Sequence, residues 1–279
     1  MAIRFLDDAH FEIDGYTFEY GYRFGEDTEP SSPTAAFVWK HRYQVACYEE
    51  LLAGRPARNV VELGIHRGGS AIFLDRLLRP ERLVAVDLAP RPASALTHYV
   101  ETHGRRDAVR AHYGVDQGDK ERIAAILDEA FGDEPIDLVI DDASHVYSPT
   151  VASFEAIFPR LRPGALYVVE DWDAFHELSV GVAAVFADPN HPAYAAMVER
   201  LKVTGFKPRL ELGRFAMQAT LLAAGTRDLV REVRVRHNWI VIERGAGALP
   251  PAPLRLADIA VDRFHVLSSP EGLEDAVLR

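Results

Sequence analysis

The stretch that decides the fold is NVVELGIHRGGS at residues 59–70, where a short apolar run ends in a glycine-rich turn. The run is typical of a strand covered on both faces, and the turn leads into a predicted helix that ends near Leu78. The same pattern repeats along the chain, with further predicted strands at 82–88, 109–114, 136–141 and 165–171. Strands that alternate with helices predict an α/β fold with a doubly wound, mostly parallel sheet.

The N-terminal segment has a different character from this alternation. Aromatic residues recur at every second position from Tyr16 to Phe24, a spacing that suits half-buried strands. Three roles are open for the segment: a hairpin packed on the body, a lid, or an oligomer contact. Thr34 is the predicted cap of a helix that runs to Leu52.

The C-terminal part predicts a closing hairpin. Residues 229–236 and 239–243 alternate strongly and are separated by two residues, as in an antiparallel hairpin. The predicted organisation is an N-terminal lid or oligomer segment at 1–45, a central domain at 46–245 and a tail at 246–279.

Composition and charge argue against several classes of protein. The chain has 279 residues, a formal net charge of -11 and a pI near 5.5. No block of Lys and Arg residues suits a phosphate backbone, so nucleic acid is not expected as a partner. No stretch reaches membrane-spanning length, and the single cysteine, Cys47, fits a reducing compartment. We expect a cytoplasmic protein that does not bind a membrane.

The glycine-rich turn and the acid after the next strand together predict a cofactor site. Gly64 and Gly68 let the backbone approach a ligand closely, while Asp87 stands where doubly wound folds bind ribose hydroxyls. A glycine-rich turn alone is weak evidence, because tight turns from strand to helix favour glycine anyway. The spacing departs from the G-x-G-x-x-G dinucleotide pattern, so a pyrophosphate cradle is the less favoured interpretation.

Two acidic clusters end consecutive predicted strands and predict a cation site. Asp141 and Asp142 end the fourth strand, and His145 follows them on the same turn. Glu170 and Asp171 end the fifth strand. Neighbouring parallel strands lie about 5 Å apart, so these carboxylates should meet at one edge of the sheet. Oxygen ligands suit a hard divalent cation, which keeps coordination positions for substrate hydroxyls.

The order of these features resembles that of class I S-adenosylmethionine-dependent methyltransferases. The acidic clusters look like those of metal-dependent O-methyltransferases of natural-product tailoring, particularly the mycinamicin sugar O-methyltransferase type. They are similar to cephalosporin hydroxylase-type sequences as well. The resemblance is strongest over residues 59–172. It implies a seven-stranded Rossmann-like methyltransferase sheet and makes 46–245 the domain that binds S-adenosylmethionine.

The resemblance also implies a role for each candidate residue. The predicted contacts to S-adenosylmethionine fall on Glu62, Gly64, Gly68, Ser70, Asp87, Asp116, Gln117 and Asp141. The predicted ligands of Mg²⁺ or Mn²⁺ are Asp142, Glu170 and Asp171, and the predicted catalytic residues are His145 and Asp142. Side chains alternate in direction along a strand, so Glu170 and Asp171 both bind one ion only if the chain bends there.

These residues predict an O-methyltransferase that moves a methyl group from S-adenosylmethionine to a hydroxyl of a sugar or polyketide-type natural product. A cation beside the hydroxyl eases loss of its proton, and His145 accepts that proton near neutral pH. Two alternatives stay open: a nicotinamide-dependent Rossmann oxidoreductase, and a non-catalytic adenosyl-ligand-binding partner of a hydroxylase. A homo-oligomer is also expected, in which the N-terminal segment covers a neighbouring subunit's site.

Overall fold

The computed structural model describes residues 3–21, 35–55, 57–173, 185–196, 198, 211–226, 228–250 and 253–259. The described strands are β1 (Arg4–Phe5), β2 (His10–Ile13), β3 (Tyr16–Tyr20), β4 (Ala35–Val38), β5 (Asn59–Leu63), β6 (Arg82–Asp87), β7 (Val109–Tyr113), β8 (Ile136–Asp141), β9 (Leu161–Glu170), β10 (Val230–Arg236) and β11 (Trp239–Arg244). The described helices are α1 (Arg42–Leu52), α2 (Gly69–Leu78), α3 (Ser94–Thr102), α4 (Lys120–Phe131), α5 (Tyr147–Ile157), α6 (Glu211–Thr226) and α7 (Leu256–Ile259). None of these helices is long and apolar enough to cross a membrane.

Seven strands form the central sheet, in the order β10-β11-β9-β8-β5-β6-β7. Strands β5 to β9 run parallel, whereas β10 and β11 add an antiparallel hairpin at one edge. This topology confirms the predicted doubly wound, mostly parallel seven-stranded sheet with a C-terminal hairpin. The strand order reverses at β5, which has β6 on one side and β8 on the other. Sheets of this kind bind ligands at the carboxyl ends of the strands that flank the reversal.

The sheet carries a buried layer on each face, which explains the continuous apolar run of β5. Val60 belongs to the layer that contains the N-terminal strands, α2 and α3. Val61 and Leu63 belong to the opposite layer, with α4, α5 and α6. Successive strand side chains point to opposite faces, so a strand covered on both sides is apolar throughout.

Strands β1 to β4 form a small second sheet that packs on the body. Phe11 and Phe18 stack with their ring centroids 4.8 Å apart, and both meet the ring of Phe73 on α2 edge to face. All three rings lie in one buried layer. Of the roles left open for this segment, the hairpin packed on the body is present as β2 and β3. The lid and the oligomer contact stay predictions.

The chain between β4 and α1 differs from the predicted helix. Residues 35–38 pair in parallel with β3, and the helix begins only at Arg42. Pairing with a neighbouring strand has overridden the helical spacing of the apolar residues, a tertiary effect that local pattern does not contain. The predicted cap, Thr34, lies outside the described residues. Trp39, Lys40 and His41 therefore form an extended connection between a strand and a helix.

Strand β9 begins at Leu161, earlier than the sequence predicts. The predicted turn at Pro163 and Gly164 lies inside the strand, where its register with β8 shifts. Proline and glycine are accommodated at such irregularities because the local ladder of hydrogen bonds is already interrupted. The acidic end of the strand is unaffected and stops at Glu170.

Candidate active site

The candidate site lies where β5 and β8 end side by side. Leu63 pairs with Asp141, and the backbone N–H of Asp142 donates to the carbonyl of Leu63 at 2.8 Å. Gly64 follows with a φ of 97°, and a Cβ there would collide with the carbonyl oxygen of Asp142. This close approach requires glycine at position 64. It also joins the glycine-rich turn at residues 64–70, which we call the donor loop, to the first acidic cluster.

Asp87 holds the predicted donor loop through the loop's backbone. Its Oδ2 accepts hydrogen bonds from the N–H groups of Ile65 and His66 at 2.7 and 2.8 Å. Its Oδ1 accepts one from the N–H of Ala89 at 2.6 Å. Hydrogen bonds to an ionised acceptor are strong, so they hold the loop in one conformation. A carboxylate oxygen accepts two hydrogen bonds, which leaves Oδ1 capacity for a further donor such as a ribose hydroxyl.

Glu62 is a buried carboxyl group with an unsatisfied atom. Burial raises the pKa of Glu62 to about 8, although a hydrogen bond with Ser70 and the charge of Lys40 oppose that rise. The residue is 1% exposed, and its Oε2 has no hydrogen-bond partner among the described residues. A buried acceptor without a partner costs stability. The position therefore fits a ligand that brings an N–H group to the end of β5.

The other residues that are predicted to contact the cofactor form two groups. Gly68 has a φ of 93° and precedes α2 as its N-cap residue. Asp116 is exposed, and its Oδ1 accepts a hydrogen bond from the N–H of Gly118 at 2.7 Å. Both residues lie at carboxyl ends of strands in the half of the sheet that contains β5, β6 and β7.

Gln117 and Asp141, by contrast, belong to a buried network. Asp141 is 2% exposed, and burial raises its pKa to about 6. The Gln117 amide donates to it at 3.1 Å, as do the hydroxyls of Ser153 and Tyr167. Oε1 of Gln117 accepts the backbone N–H of Ser144 at 2.8 Å. The structure thus places both predicted cofactor contacts inside the protein, where they support the backbone after β8.

Three side chains at the adjacent ends of β8 and β9 could hold a metal ion. They are Asp142, His145 and Asp171, and one ligand atom from each lies within 4.8 Å of the others. All three residues are half-buried, and Nε2 of His145 lies 4.0 Å from Oδ1 of Asp142. The two acidic clusters meet because β8 and β9 are parallel neighbours.

Left-handed backbone conformations occur at three non-glycine residues of the site. The φ angles are 48° at His66, 53° at His145 and 49° at Asp171. Such conformations are uncommon for residues with a side chain and cost on the order of 1 to 3 kcal/mol each. At Asp171 the chain therefore bends sharply as it leaves β9. Such a bend is the condition under which Glu170 and Asp171 could both bind one ion.

Asp142, His145 and Asp171 are called the convergent group below. Glu170 points away from this group and into the protein. It is 0% exposed; its Oε2 accepts a hydrogen bond from Lys40 Nζ at 2.7 Å, and its Oε1 accepts one from the Tyr48 hydroxyl. Lys40 Nζ also donates to Oδ2 of Asp142 at 3.1 Å. Burial alone would lower the pKa of Lys40, but the charges of Asp142 and Glu170 raise it overall. The group that could hold a cation contains His145 where the sequence predicts Glu170.

Lys40 and Gln44 are site residues that sequence reasoning missed. Gln44 Nε2 donates to Oδ1 of Asp171 at 3.4 Å, and the ring of Trp39 lies 5.0 Å from that of His66. The connection from β4 to α1 thus reaches both the donor loop and the acidic clusters. The only local signal was a lysine directly after an apolar run, a position where the charge is expected to be paired if it is buried.

A comparison with known protein families agrees with this fold. Residues 61–172 match the family model described as a methyltransferase domain, which is less than half of the chain. The order of the seven strands and the position of the site at the strand reversal agree with that match. The predicted resemblance to class I methyltransferases is confirmed over residues 61–172.

Several O-methyltransferases are similar to parts of this chain. It is 36% identical over 154 residues to the 8-demethyl-8-alpha-L-rhamnosyl tetracenomycin-C 2'-O-methyltransferase of Streptomyces olivaceus, covering 49% of this chain and 36% of that protein. It is 48% identical over 61 residues to the mycinamicin VI 2''-O-methyltransferase of Micromonospora griseorubida, covering 22% and 14%. The matches thus span about a third of the first relative's length and less of the second.

A solved structure is also similar to this chain. It is the MycE methyltransferase of the mycinamycin biosynthetic pathway in complex with Mg, SAH and mycinamycin VI. The similarity has a TM-score of 0.48 at 24% sequence identity and covers 77% of this chain and 54% of that one.

Proposed function

We propose that this chain is an S-adenosylmethionine-dependent O-methyltransferase that acts on a sugar hydroxyl of a polyketide-type natural product, with Mg²⁺ as its cation. One observation carries the proposal: the end of β5, which contains an unsatisfied buried carboxyl at Glu62, meets the group of Asp142, His145 and Asp171 at Gly64. The sugar acceptor is supported by the two relatives, which methylate sugars of tetracenomycin and mycinamicin.

The donor half of the site contains Glu62, Asp87 and Asp116, and it suits the amino group, the ribose and the adenine of S-adenosylmethionine. This cofactor supplies an activated methyl group when bound. The unsatisfied Oε2 of Glu62 fits the cofactor's amino group, because a cationic N–H donor both satisfies the atom and favours its ionised form. Asp87 has an acceptor position left for a ribose hydroxyl. Asp116 is exposed on the loop after β7, and we assign it to the contact with the adenine base.

The acidic half of the site, which contains Asp142, His145 and Asp171, suits a hydroxyl acceptor. Asp142 and Asp171 offer the oxygen donors that Mg²⁺ prefers, and Mg²⁺ supplies positive charge that eases loss of a hydroxyl proton when bound. An imidazole is a poor ligand for Mg²⁺ but accepts protons near neutral pH. We therefore assign His145 as the base that removes the proton of the acceptor hydroxyl. Methyl transfer then depends mainly on in-line placement of the two substrates.

The direct test is Asp142→Ala. Methyl transfer should fall by about 1,000-fold or more, since the cation and the hydroxyl lose a shared contact. Affinity for S-adenosylmethionine, measured by calorimetry, should stay within about threefold, because the hydrogen bond of Asp142 to Leu63 is made by its backbone N–H and survives the substitution. Asp107→Ala removes an exposed carboxylate just before β7, at the opposite end of the sheet, and serves as the control. Full activity of the wild-type protein in metal-free buffer would contradict the proposal.

The rival functions make different predictions. Tight binding of a nicotinamide cofactor, with none of S-adenosylmethionine, would favour the oxidoreductase. Failure to release S-adenosylhomocysteine with any sugar-bearing acceptor, despite binding, would favour the non-catalytic partner of a hydroxylase. We also propose a homo-oligomer, and a monomer in light scattering would contradict that part alone.

A further inference from the structure

We propose that Asn238, in the turn of the C-terminal hairpin, is a positioning residue for Asp171: its side-chain amide orients the Asp171 carboxylate within the convergent group. The inference rests on the proposed function, because it needs a cation site that includes Asp171. Asn238 lies 67 residues after the carboxylate that it contacts and beyond the residues that match the methyltransferase model. The C-terminal hairpin thereby becomes part of the site.

The first support is the pairing of the strands. Strand β11 runs antiparallel to β9, with Trp239 opposite Glu170. Antiparallel partners advance in opposite directions, so the next position brings Asn238 beside Asp171. The two residues are therefore neighbours because of the register of the sheet, and the hairpin turn lies at the end of the sheet where β8 and β9 present their acidic residues.

The second support is the direction of the Asn238 amide. Its Nδ2 donates to Oδ1 of Asp171 at 3.0 Å, and its Oδ1 accepts a hydrogen bond from the hydroxyl of Tyr43. An ionised carboxylate only accepts hydrogen bonds, so it can face only the NH₂ end of an amide. Tyr43 donates to the other end and keeps the amide in that orientation. The three residues form one chain of hydrogen bonds that ends at the Asp171 carboxylate.

The third support is that the turn has anchors other than this amide. Oδ2 of Asp173 accepts the backbone N–H of Asn238 at 3.0 Å and lies 2.8 Å from Nδ1 of His237. The φ angle of Asn238 is 65°, a left-handed conformation that glycine adopts without strain. The side-chain amide is thus directed to Asp171 while the backbone of the turn is held by Asp173.

A carboxylate that binds a cation gains from such a partner. Groups that hydrogen-bond a metal ligand fix its orientation, and their loss typically weakens metal binding about 10- to 100-fold. Gln44 Nε2 also donates to Oδ1 of Asp171, but at 3.4 Å, so Asn238 makes the shorter of these two contacts. Asp171 leaves β9 with a φ of 49°, where the strand no longer fixes the direction of its side chain.

The test is a titration with Mn²⁺, followed by electron paramagnetic resonance, in the absence of methyl donor and acceptor. Asn238→Gly should weaken Mn²⁺ binding about tenfold, because it removes the amide and keeps the left-handed turn. Its Tm should stay within about 2 °C of wild type, since the backbone anchors remain. Asp14→Gly is the matched control: Asp14 has a φ of 47° in the two-residue turn between β2 and β3, in the other sheet, and its loss should not change Mn²⁺ affinity.

A second pair of variants tests the chain of hydrogen bonds. Tyr43→Phe should weaken Mn²⁺ binding about threefold, because the amide loses the donor that fixes its orientation. The same substitution in the Asn238→Gly background should have no further effect, since Tyr43 acts through the amide. An equal loss from Tyr43→Phe in both backgrounds would overturn the chain of hydrogen bonds on which the inference is built.

The remaining outcomes separate this inference from the proposed function. Wild-type Mn²⁺ affinity in Asn238→Gly would overturn the inference and leave the proposed function standing. A loss of affinity that comes with a fall in Tm of about 5 °C or more would also overturn it, because the amide would then hold the fold rather than the carboxylate. Absence of Mn²⁺ binding in the wild-type protein would overturn the proposed cation site and the inference with it.

Discussion

The donor half and the acidic half of this site are built in different ways. In the donor half, Asp87 binds backbone N–H groups that lie 21 and 22 residues away in the chain. In the acidic half, Asp142 and Glu170 share Lys40, which lies 102 and 130 residues away. Backbone groups are present in any sequence, whereas a side-chain counter-ion must be delivered by the fold. Local motifs therefore predict where the acids are but not what neutralises them.

Gly64→Ala should have the largest effect, because Gly64 is where the donor half contacts the acidic half. A Cβ at this position collides with the carbonyl oxygen of Asp142, and φ is 97°. We expect a loss of about 3 kcal/mol or more in the free energy of unfolding, measured in urea. Gly104→Ala is the matched control, because φ there is 63° but nothing lies within 4 Å of the added Cβ. Equal losses at the two positions would show that backbone strain, rather than the junction, dominates.

Asp87→Asn should damage the donor half alone. An amide offers one acceptor atom, so the N–H groups of the loop or of Ala89 lose their partner. Affinity for S-adenosylmethionine should fall about 100-fold, while Mn²⁺ affinity stays within about threefold. Asp137→Asn is the control, because its carboxylate also accepts two backbone N–H groups but lies at the amino end of β8. Comparable loss of Mn²⁺ binding in Asp87→Asn would mean that the two halves are not separable.

Glu62→Gln should have the smallest effect. The pH dependence of its stability tests the role of Glu62 in the donor half. Burial raises the pKa of Glu62 to about 8, above its unfolded value near 4.5. Its contribution to stability is therefore fully present below about pH 4.5 and is lost as the pH rises through 8. Without S-adenosylmethionine, the free energy of unfolding of wild type should fall between pH 6 and pH 8.5. For Glu62→Gln the fall should be smaller than for wild type by about 1 to 2 kcal/mol.

The same variant should bind S-adenosylmethionine about tenfold more weakly, because an amide cannot pair with the cofactor's amino group as an ionised carboxylate does. Urea unfolding at several pH values and calorimetric titration measure the two effects. Parallel stability curves for Glu62→Gln and wild type would show that Glu62 does not titrate in this range.

The sheet was predictable because its signals are local. The apolar run of β5 and the acidic end of β8 lie within a few residues of where the structure has them. The convergence of Asp142 with Asp171 followed from parallel neighbouring strands. Residues 35–38 were misassigned because their pairing with β3 depends on tertiary structure. The cofactor contact of Gln117 stays a prediction, and its hydrogen bond to the buried Asp141 is a tertiary contact that the local pattern does not contain.

The sequence by itself determined the α/β alternation, the order of the motifs and the meeting of two acidic strand ends, because periodicity and strand direction are properties of short stretches. The tertiary structure alone decided that Lys40 lies between Asp142 and Glu170, and that His145 joins Asp142 and Asp171. Such choices depend on which charges become buried together. Burial is settled only when segments far apart in the chain pack against one another.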